Sequence, residues 1–186
     1  MTRFPRVHLM PGECKVSWEP VVFTTLLGSC VSACLHDQRL KIGGMNHFML
    51  PDVPARDDSL GEKTRCMRYG LYAMERLIND LVHLGARRAD LVCKVFGGAN
   101  MTGSLSTQNI GQRNADFVLQ FLRQDGIPVI AQDLNGTHSR RIQFNSATNA
   151  VRIERVPSAD SQAIRLERSY LRSINQDPVA GDIVFF

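Results

Sequence analysis

No CxxC pair occurs in the chain, and its five cysteines, at positions 14, 30, 34, 66 and 93, make an odd set. Both facts argue against a disulfide framework and against the common zinc patterns, and they predict reduced thiols. Nor does any apolar run approach the roughly 20 residues that a bilayer-spanning helix needs. The N-terminal segment MTRFPRVHLMPGE lacks the apolar centre of a secretory signal, so the cytoplasm is the expected location. Phosphate-binding signatures are missing too. Gly97-Gly98-Ala99-Asn100 has neither a Lys-Ser or Lys-Thr nor a complete GxGxxG, and no nucleotide is expected there. Adjacent glycines better suit a tight turn, or a backbone that must approach another strand closely. Cys30, Cys34, His36 and His47 match no usual ligand spacing, so no metal or other cofactor is expected. Blocks of like charge are also absent. The net charge of +4 is spread over Arg65, Arg68, Arg76, Arg87 and Arg88 around one helix, and Arg140, Arg141, Arg152 and Arg155 in a later hairpin. No nucleic-acid motif accompanies them, which leaves a solvated basic surface or attraction to an acidic protein partner.

What is present is a chain of 186 residues, 44% hydrophobic and 22% charged, enough for one domain with a core and too short for two. Its most informative stretch runs from Thr24 to Pro51. Cys30 to His36 reads as one extended run, Asp37-Gln38-Arg39 as a polar turn, and Lys41 to Leu50 as a second strand. With Gln38 and Arg39 as the two central turn residues, paired positions sum to 77, so Cys30 faces His47 and Cys34 faces Gly43. Directly opposed residues have Cβ atoms about 4.5–5.5 Å apart, a separation at which a thiol and an imidazole can share a proton. A free thiol with a pKa of about 8.5 falls below about 6 beside an imidazolium, so this pair predicts a thiolate nucleophile with a histidine base.

The rest of the chain reads as alternating strands and helices. Val21 to Leu27 is a short strand ended by Gly28; Thr64 to Leu84 is a helix with Met67 and Met74 in its core-facing set and Gly85 at its end. Residues 55 to 63 form a polar loop. Asp90 to Phe96 is an apolar strand, Arg113 to Gln124 a second helix, and Pro128 to Asp133 another strand. Arg141 to Phe144 and Val151 to Val156 make a hairpin turning near Thr148-Asn149. The predicted architecture is an α/β single-domain sandwich, a mixed β-sheet covered by two main helices, with the cysteine and histidine on a β-hairpin. Ser161 to Asn175 suits a polar helix, and the terminal Phe185 and Phe186 are expected to pack on the domain.

Four motifs, LLGSCVSACLHD, GGMNHFMLP, KVFGGANM and NIGQRN, in this order, resemble the CheD family of chemoreceptor glutamine deamidases. The likeness covers about residues 8 to 156, which sets a domain at 1–156 and an extension at 157–186. It implies a protein-glutamine amidohydrolase of bacterial chemotaxis that turns receptor glutamines into glutamates through a cysteine thioester. Methylesterase activity on the same side chains is also implied. Carried over by position, Cys30 is the nucleophile, His47 the base, and Thr24, six residues before the cysteine, the third member, with Thr25 its neighbouring competitor. Backbone N–H groups of Gly28-Ser29-Cys30 are the expected oxyanion donors, and Ser29 and Asn46 are candidate substrate contacts. The implied partners are the cytoplasmic helices of chemoreceptors and a CheC-type phosphatase, with the protein itself a monomer. The competing reading is an adaptor that binds receptors or CheC and does not need its thiol.

Overall fold

A computed structural model describes residues 4–51, 60–100, 110–156 and 161–176, with side chains from residue 66 in the first helix and 165 in the last. Of the polar loop expected at 55–63, residues 55–59 lie outside the described residues, as do the terminal Phe185 and Phe186, while residues 60–63 are helical, so the first helix starts four residues earlier than its expected Thr64. The strands are β1 (Arg6–His8), β2 (Cys14–Ser17), β3 (Val22–Leu27), β4 (Val31–Asp37) and β5 (Ile42–Asn46). After helix α1 (Leu60–His83) come β6 (Leu91–Gly97), α2 (Ile110–Gln124), β7 (Val129–Leu134), β8 (Ser139–Asn145), β9 (Val151–Val156) and α3 (Ser161–Gln176).

The fold is α/β, as expected, but its strands form two sheets where the sequence suggests one. The five-stranded sheet has the order β2-β5-β4-β6-β7 and the four-stranded sheet the order β1-β3-β8-β9. Each is mixed, with one parallel pair, β6 with β7 and β1 with β3. β4 explains the layering. All seven of its residues are buried, which marks a strand covered on both faces. Val31, Ala33 and Leu35 meet Met74, Leu77, Ile78 and Leu81 of α1 and Val118 and Leu122 of α2. Cys34 points the other way and joins Phe23, Leu27, Ile142 and Phe144 of the second sheet. Two helices therefore cover one face of the central sheet, and the smaller sheet covers the other. Period-2 alternation assigns consecutive residues of one strand to different cores.

Helix α1 buries Met74, Leu77, Ile78 and Leu81 at helical spacing. Met67, expected in the core, is instead 58% exposed. The covered stripe runs instead through Cys66 and Gly70, which leaves Met67 beside it and facing outward.

The register between β4 and β5 also differs from expectation. Cys34 pairs with Met45, Asp37 with Ile42, and an isolated bridge joins Val31 to Phe48, so paired positions sum to 79. The cause is Asp37. Its Oδ1 accepts from the N–H groups of Arg39 and Leu40, both at 2.9 Å, and Lys41 closes the turn at φ 56°. A carboxylate that caps two successive amides builds a four-residue loop in place of a two-residue one. Slipping the pair sum by two leaves every side chain on its predicted face. Cys30 and His47 thus become diagonal neighbours, still within side-chain reach.

Gly97 is where the central sheet meets the site. Its φ is 116°, and a Cβ there would collide with the Cys30 carbonyl oxygen. The following amides, Gly98 and Ala99, donate to the carbonyls of Cys30 and Gly28, each at 2.8 Å. The glycine pair is a close backbone approach. Arg140, grouped by sequence with a surface cluster, is in fact 3% exposed and donates to the Gly97 carbonyl at 2.5 Å. Gly97→Ala should cost about 3 kcal/mol or more, because the obstacle is backbone and cannot swing aside. For a chain of this length that is a fall in Tm of roughly 10 °C. An unchanged Tm in thermal denaturation would show that the strand ends can separate freely.

Candidate active site

Cys30 stands immediately before β4 and His47 immediately after β5, so both project from adjacent strand ends of the central sheet. The backbone of His47 is pinned on its outer side, donating to Glu13 at 2.9 Å while its carbonyl accepts from Gly12 at 2.7 Å. Asn114 braces both arms. Its Oδ1 accepts from the Leu50 amide at 2.9 Å and its Nδ2 donates to the Ser29 carbonyl at 2.8 Å. Wholly buried, Asn114 ties the segment after the histidine to the residue before the cysteine. It is the last residue of the NIGQRN motif, and neither helical periodicity nor residue type signals that role.

β3 of the smaller sheet supplies the partner of the imidazole. Along Val22–Leu27 burial alternates, with Phe23, Thr25 and Leu27 inward. The Thr25 hydroxyl lies 2.8 Å from His47 Nδ1 and donates to the Leu9 carbonyl at 2.7 Å. A carbonyl only accepts, so the hydroxyl proton is committed to Leu9 and Thr25 Oγ1 must accept from Nδ1–H. That fixes the tautomer. Nε2 carries the lone pair, is buried and has no hydrogen-bond partner. Thr24 lies on the other face of β3, registered between His8 and Gln143, and does not meet His47.

A ring nitrogen of His47, Cys30 Sγ and a carboxylate oxygen of Glu167 lie within 4.8 Å of one another. Glu167, on α3, enters a cradle of donors beside the thiol. Its Oε1 accepts from the amides of Gly28 at 2.7 Å and Cys30 at 3.1 Å. Its Oε2 accepts from the Ser29 amide at 2.9 Å and the Ser29 hydroxyl at 2.8 Å. Two N–H groups, those of Gly28 and Cys30, therefore converge on one oxygen of a carboxylate that lies beside Sγ, the geometry of an oxyanion hole, and the Ser29 N–H serves the other oxygen. Ser29 lines this cradle. Asn46 does not: its amide is spent on the scaffold, accepting from the Ala33 N–H at 2.9 Å and donating to the Ala73 carbonyl at 3.1 Å.

The electrostatics differ from a preformed ion pair. Burial pushes the Cys30 thiol well up from its ordinary value, and the Glu167 carboxylate adds to the rise. Burial likewise pushes His47 down to about 3. Both groups are neutral here, where the sequence suggested a thiolate beside an imidazolium. The reason is that a closed, apolar site holding a carboxylate disfavours a second negative charge. Among the described residues these three are the one group spaced for a metal ion, but Glu167 already accepts four hydrogen bonds. The quartet considered from sequence is not assembled: His36 Nε2 lies 3.3 Å from the Ala147 carbonyl instead.

Residues 49–155 match the family model described as CheD chemotactic sensory transduction, which is more than half of the chain. The chain belongs to the CheD family. A relative from Cupriavidus pinatubonensis is 47% identical, covering 90% of this chain and 78% of its own length. Relatives from Thiobacillus denitrificans and Shewanella oneidensis are 42% and 43% identical, over 96% and 97% of this chain and 88% and 87% of theirs. The first two carry the name probable chemoreceptor glutamine deamidase CheD, and the third probable chemoreceptor glutamine deamidase CheD 1. Among solved structures, the Bacillus licheniformis hypothetical protein YfiH overlays 63% of this chain and 46% of its own with a TM-score of 0.38 at 10% identity, too distant to bear on function. The family match begins at Met49, so the geometry of Cys30, His47 and Thr25 stands apart from the matched span. No helix among the described residues is long and apolar enough to cross a membrane.

Proposed function

We propose that this CheD-family protein is a cysteine-dependent deamidase that converts glutamine side chains of chemoreceptors to glutamate. The observation that carries the reading is the line of groups from the Leu9 carbonyl through Thr25 and His47 to Cys30, with Gly28 and Cys30 amides converging beside the sulfur. Cys30 Sγ attacks the carboxamide carbon as its proton passes to His47 Nε2. The carbonyl oxygen, now negative, is held by the amides of Gly28 and Cys30. The imidazolium protonates the departing nitrogen, ammonia leaves, and a thioester remains. His47 then takes a proton from water, which attacks the thioester, frees the thiol and leaves glutamate. A neutral thiol and a neutral imidazole suffice as the starting pair, since the proton moves with the attack. A methyl ester on the same side chain presents the same acyl carbon to the same groups.

Support for the target comes from the names of the relatives, and such receptors would place the protein in the cytoplasm. The test is mass spectrometry of a receptor cytoplasmic fragment incubated with the protein, with ammonia measured in parallel. A gain of about one mass unit at defined glutamines is expected, since one nitrogen leaves as one oxygen enters. Receptor modulation without ammonia release would instead favour an adaptor.

Thr25, rather than Thr24, is the residue that orients the base in this reading. Loss of a buried hydrogen bond of this kind costs about 1–3 kcal/mol, or roughly 5- to 150-fold in rate. Thr25→Val should therefore slow deamidation by that factor, and Thr24→Val should stay within about twofold. Rate measurements with the reverse order would restore Thr24 to the relay.

A further inference from the structure

Helix α3 lies outside the strong sequence resemblance, yet it fills the site. Its face at i, i+3, i+4 and i+7 is Glu167, Tyr170, Leu171 and Ile174. Tyr170 and Leu171 pack on the core between the sheets, and Ile174 is buried. The Tyr170 ring sits over Gly12, and its hydroxyl meets that of Tyr69 on α1. Glu167 is the anomaly on that face. A carboxylate in the apolar stripe of a helix is costly unless hydrogen-bonded, and Glu167 is 6% exposed. All four of its donors belong to Gly28, Ser29 and Cys30; none is a cation. A carboxylate placed only to anchor a helix would not need the nucleophile's own amide.

We propose that Glu167 is a tethered product: α3 lays into the site the side chain that a deamidated substrate would carry, so the Gly28–Cys30 cradle is the subsite for a glutamine presented on the apolar face of an amphipathic helix. The inference rests on the deamidase reading and adds how the substrate is presented and what blocks the site at rest. Oε1 of Glu167 marks the oxyanion position, between two amides. Oε2 marks the position of the leaving nitrogen, against the Ser29 hydroxyl. A carboxylate accepts from all four donors. A carboxamide there accepts only through its oxygen and turns its NH2 toward the Ser29 amide, donor against donor. The cradle thus fits glutamate more closely than glutamine, and α3 holds the enzyme closed until a substrate helix displaces it. Burial, with the Glu167 carboxylate adding to it, keeps the Cys30 thiol protonated, so the closed state is chemically quiet as well as sterically blocked.

Replacing Glu167 by glutamine converts the tethered product into a tethered substrate. In Glu167→Gln, Cys30 Sγ forms a bond to Cδ of the new side chain as the Cδ–Nε2 bond breaks. Ammonia leaves with the thiol proton, and one water hydrolyses the thioester to regenerate the thiol and leave glutamate at position 167. The full-length variant is purified and its peptides are followed by mass spectrometry over time, in ordinary and in 18O-labelled water. Position 167 is expected to revert to glutamate, about one mass unit heavier in ordinary water and about three in labelled water, and to remain an amide in the double variant Glu167→Gln, Cys30→Ala. A receptor fragment treated with the same Glu167→Gln protein separates the two failures. If the fragment is deamidated while position 167 keeps its amide, the tethered-product proposal falls and the deamidase reading stands. If neither changes, both fall. Glu167→Ala gives an independent reading: iodoacetamide should label Cys30 at least tenfold faster than in the wild type. An unchanged labelling rate would mean that α3 does not guard the thiol.

Discussion

Cys30→Ala should give a folded protein with no deamidation above background. Removing a nucleophile that acts as part of a unit costs on the order of 10^4 or more in rate. The same change costs little stability, about 1 kcal/mol. Cys30 is wholly buried, but the residue before it is held by Asn114 and its own backbone is held by the amides of Gly98 and Glu167's carboxylate, and none of these contacts needs the sulfur. The assay is ammonia release and the mass of a receptor fragment, in the wild-type background and again with Glu167→Ala so that α3 cannot hide the outcome. Near wild-type turnover by a folded Cys30→Ala protein in either background would exclude the thioester route. The deamidation would then have to proceed without the thiol, by another nucleophile or by direct attack of water.

The meeting of Cys30 and His47 was readable because β4 and β5 are local neighbours joined by a short polar turn, and strand periodicity fixes which side chains share a face. That reading survived a wrong register. Asp37's capping of Arg39 and Leu40 moved the pair sum from 77 to 79, and an even slip preserves faces. The threonine that reaches the imidazole was harder to read. Thr24 and Thr25 sit side by side in a strand whose two faces are both apolar in sequence, Val22 and Leu26 against Phe23 and Leu27. Only the second sheet, packed on the inward face of β3, decides between them. That sheet was itself illegible, since β1 and β2 are three- and four-residue strands with charged members, and nothing local says that β3 leaves β4 to pair with β8.

Residues whose work is done by long-range contact left the weakest trace. Glu167 meets the site 137 to 139 positions away in sequence, and inside a polar-looking helix it reads as one more solvated charge. Its place among Tyr170, Leu171 and Ile174 is the signal that could have singled it out. Arg140 looked like part of a basic surface. Its guanidinium is instead the donor that holds Gly97 against the Cys30 strand end, a desolvated role that charge counting cannot detect. Asn114 sits in a quoted motif, yet only the meeting of the Leu50 and Ser29 segments gives its amide two partners.

His47→Gln should lower deamidation by about 10^2 to 10^4, the usual contribution of a positioned acid–base group. A second measurement on the same variant tests the physical state of the ring. His47 is held to about 3 by burial, below the roughly 6.5 of an exposed imidazole. Between those values the unfolded chain binds a proton that the folded protein refuses, so stability rises with pH across the window. Stability is complete above about pH 6.5, falls as the pH drops, and has lost this contribution near pH 3. By pH 5 the loss is about 2 kcal/mol, at 1.36 kcal/mol per unit once the unfolded histidine is mostly charged. His47→Gln has no such proton to refuse. In urea denaturation from pH 7 to pH 5 the wild type should lose about 2 kcal/mol more than the variant. Parallel curves for the two proteins would mean that His47 is charged or hydrated in the folded state. A ring already carrying the proton could not accept one from Cys30, and the base would have to be sought elsewhere.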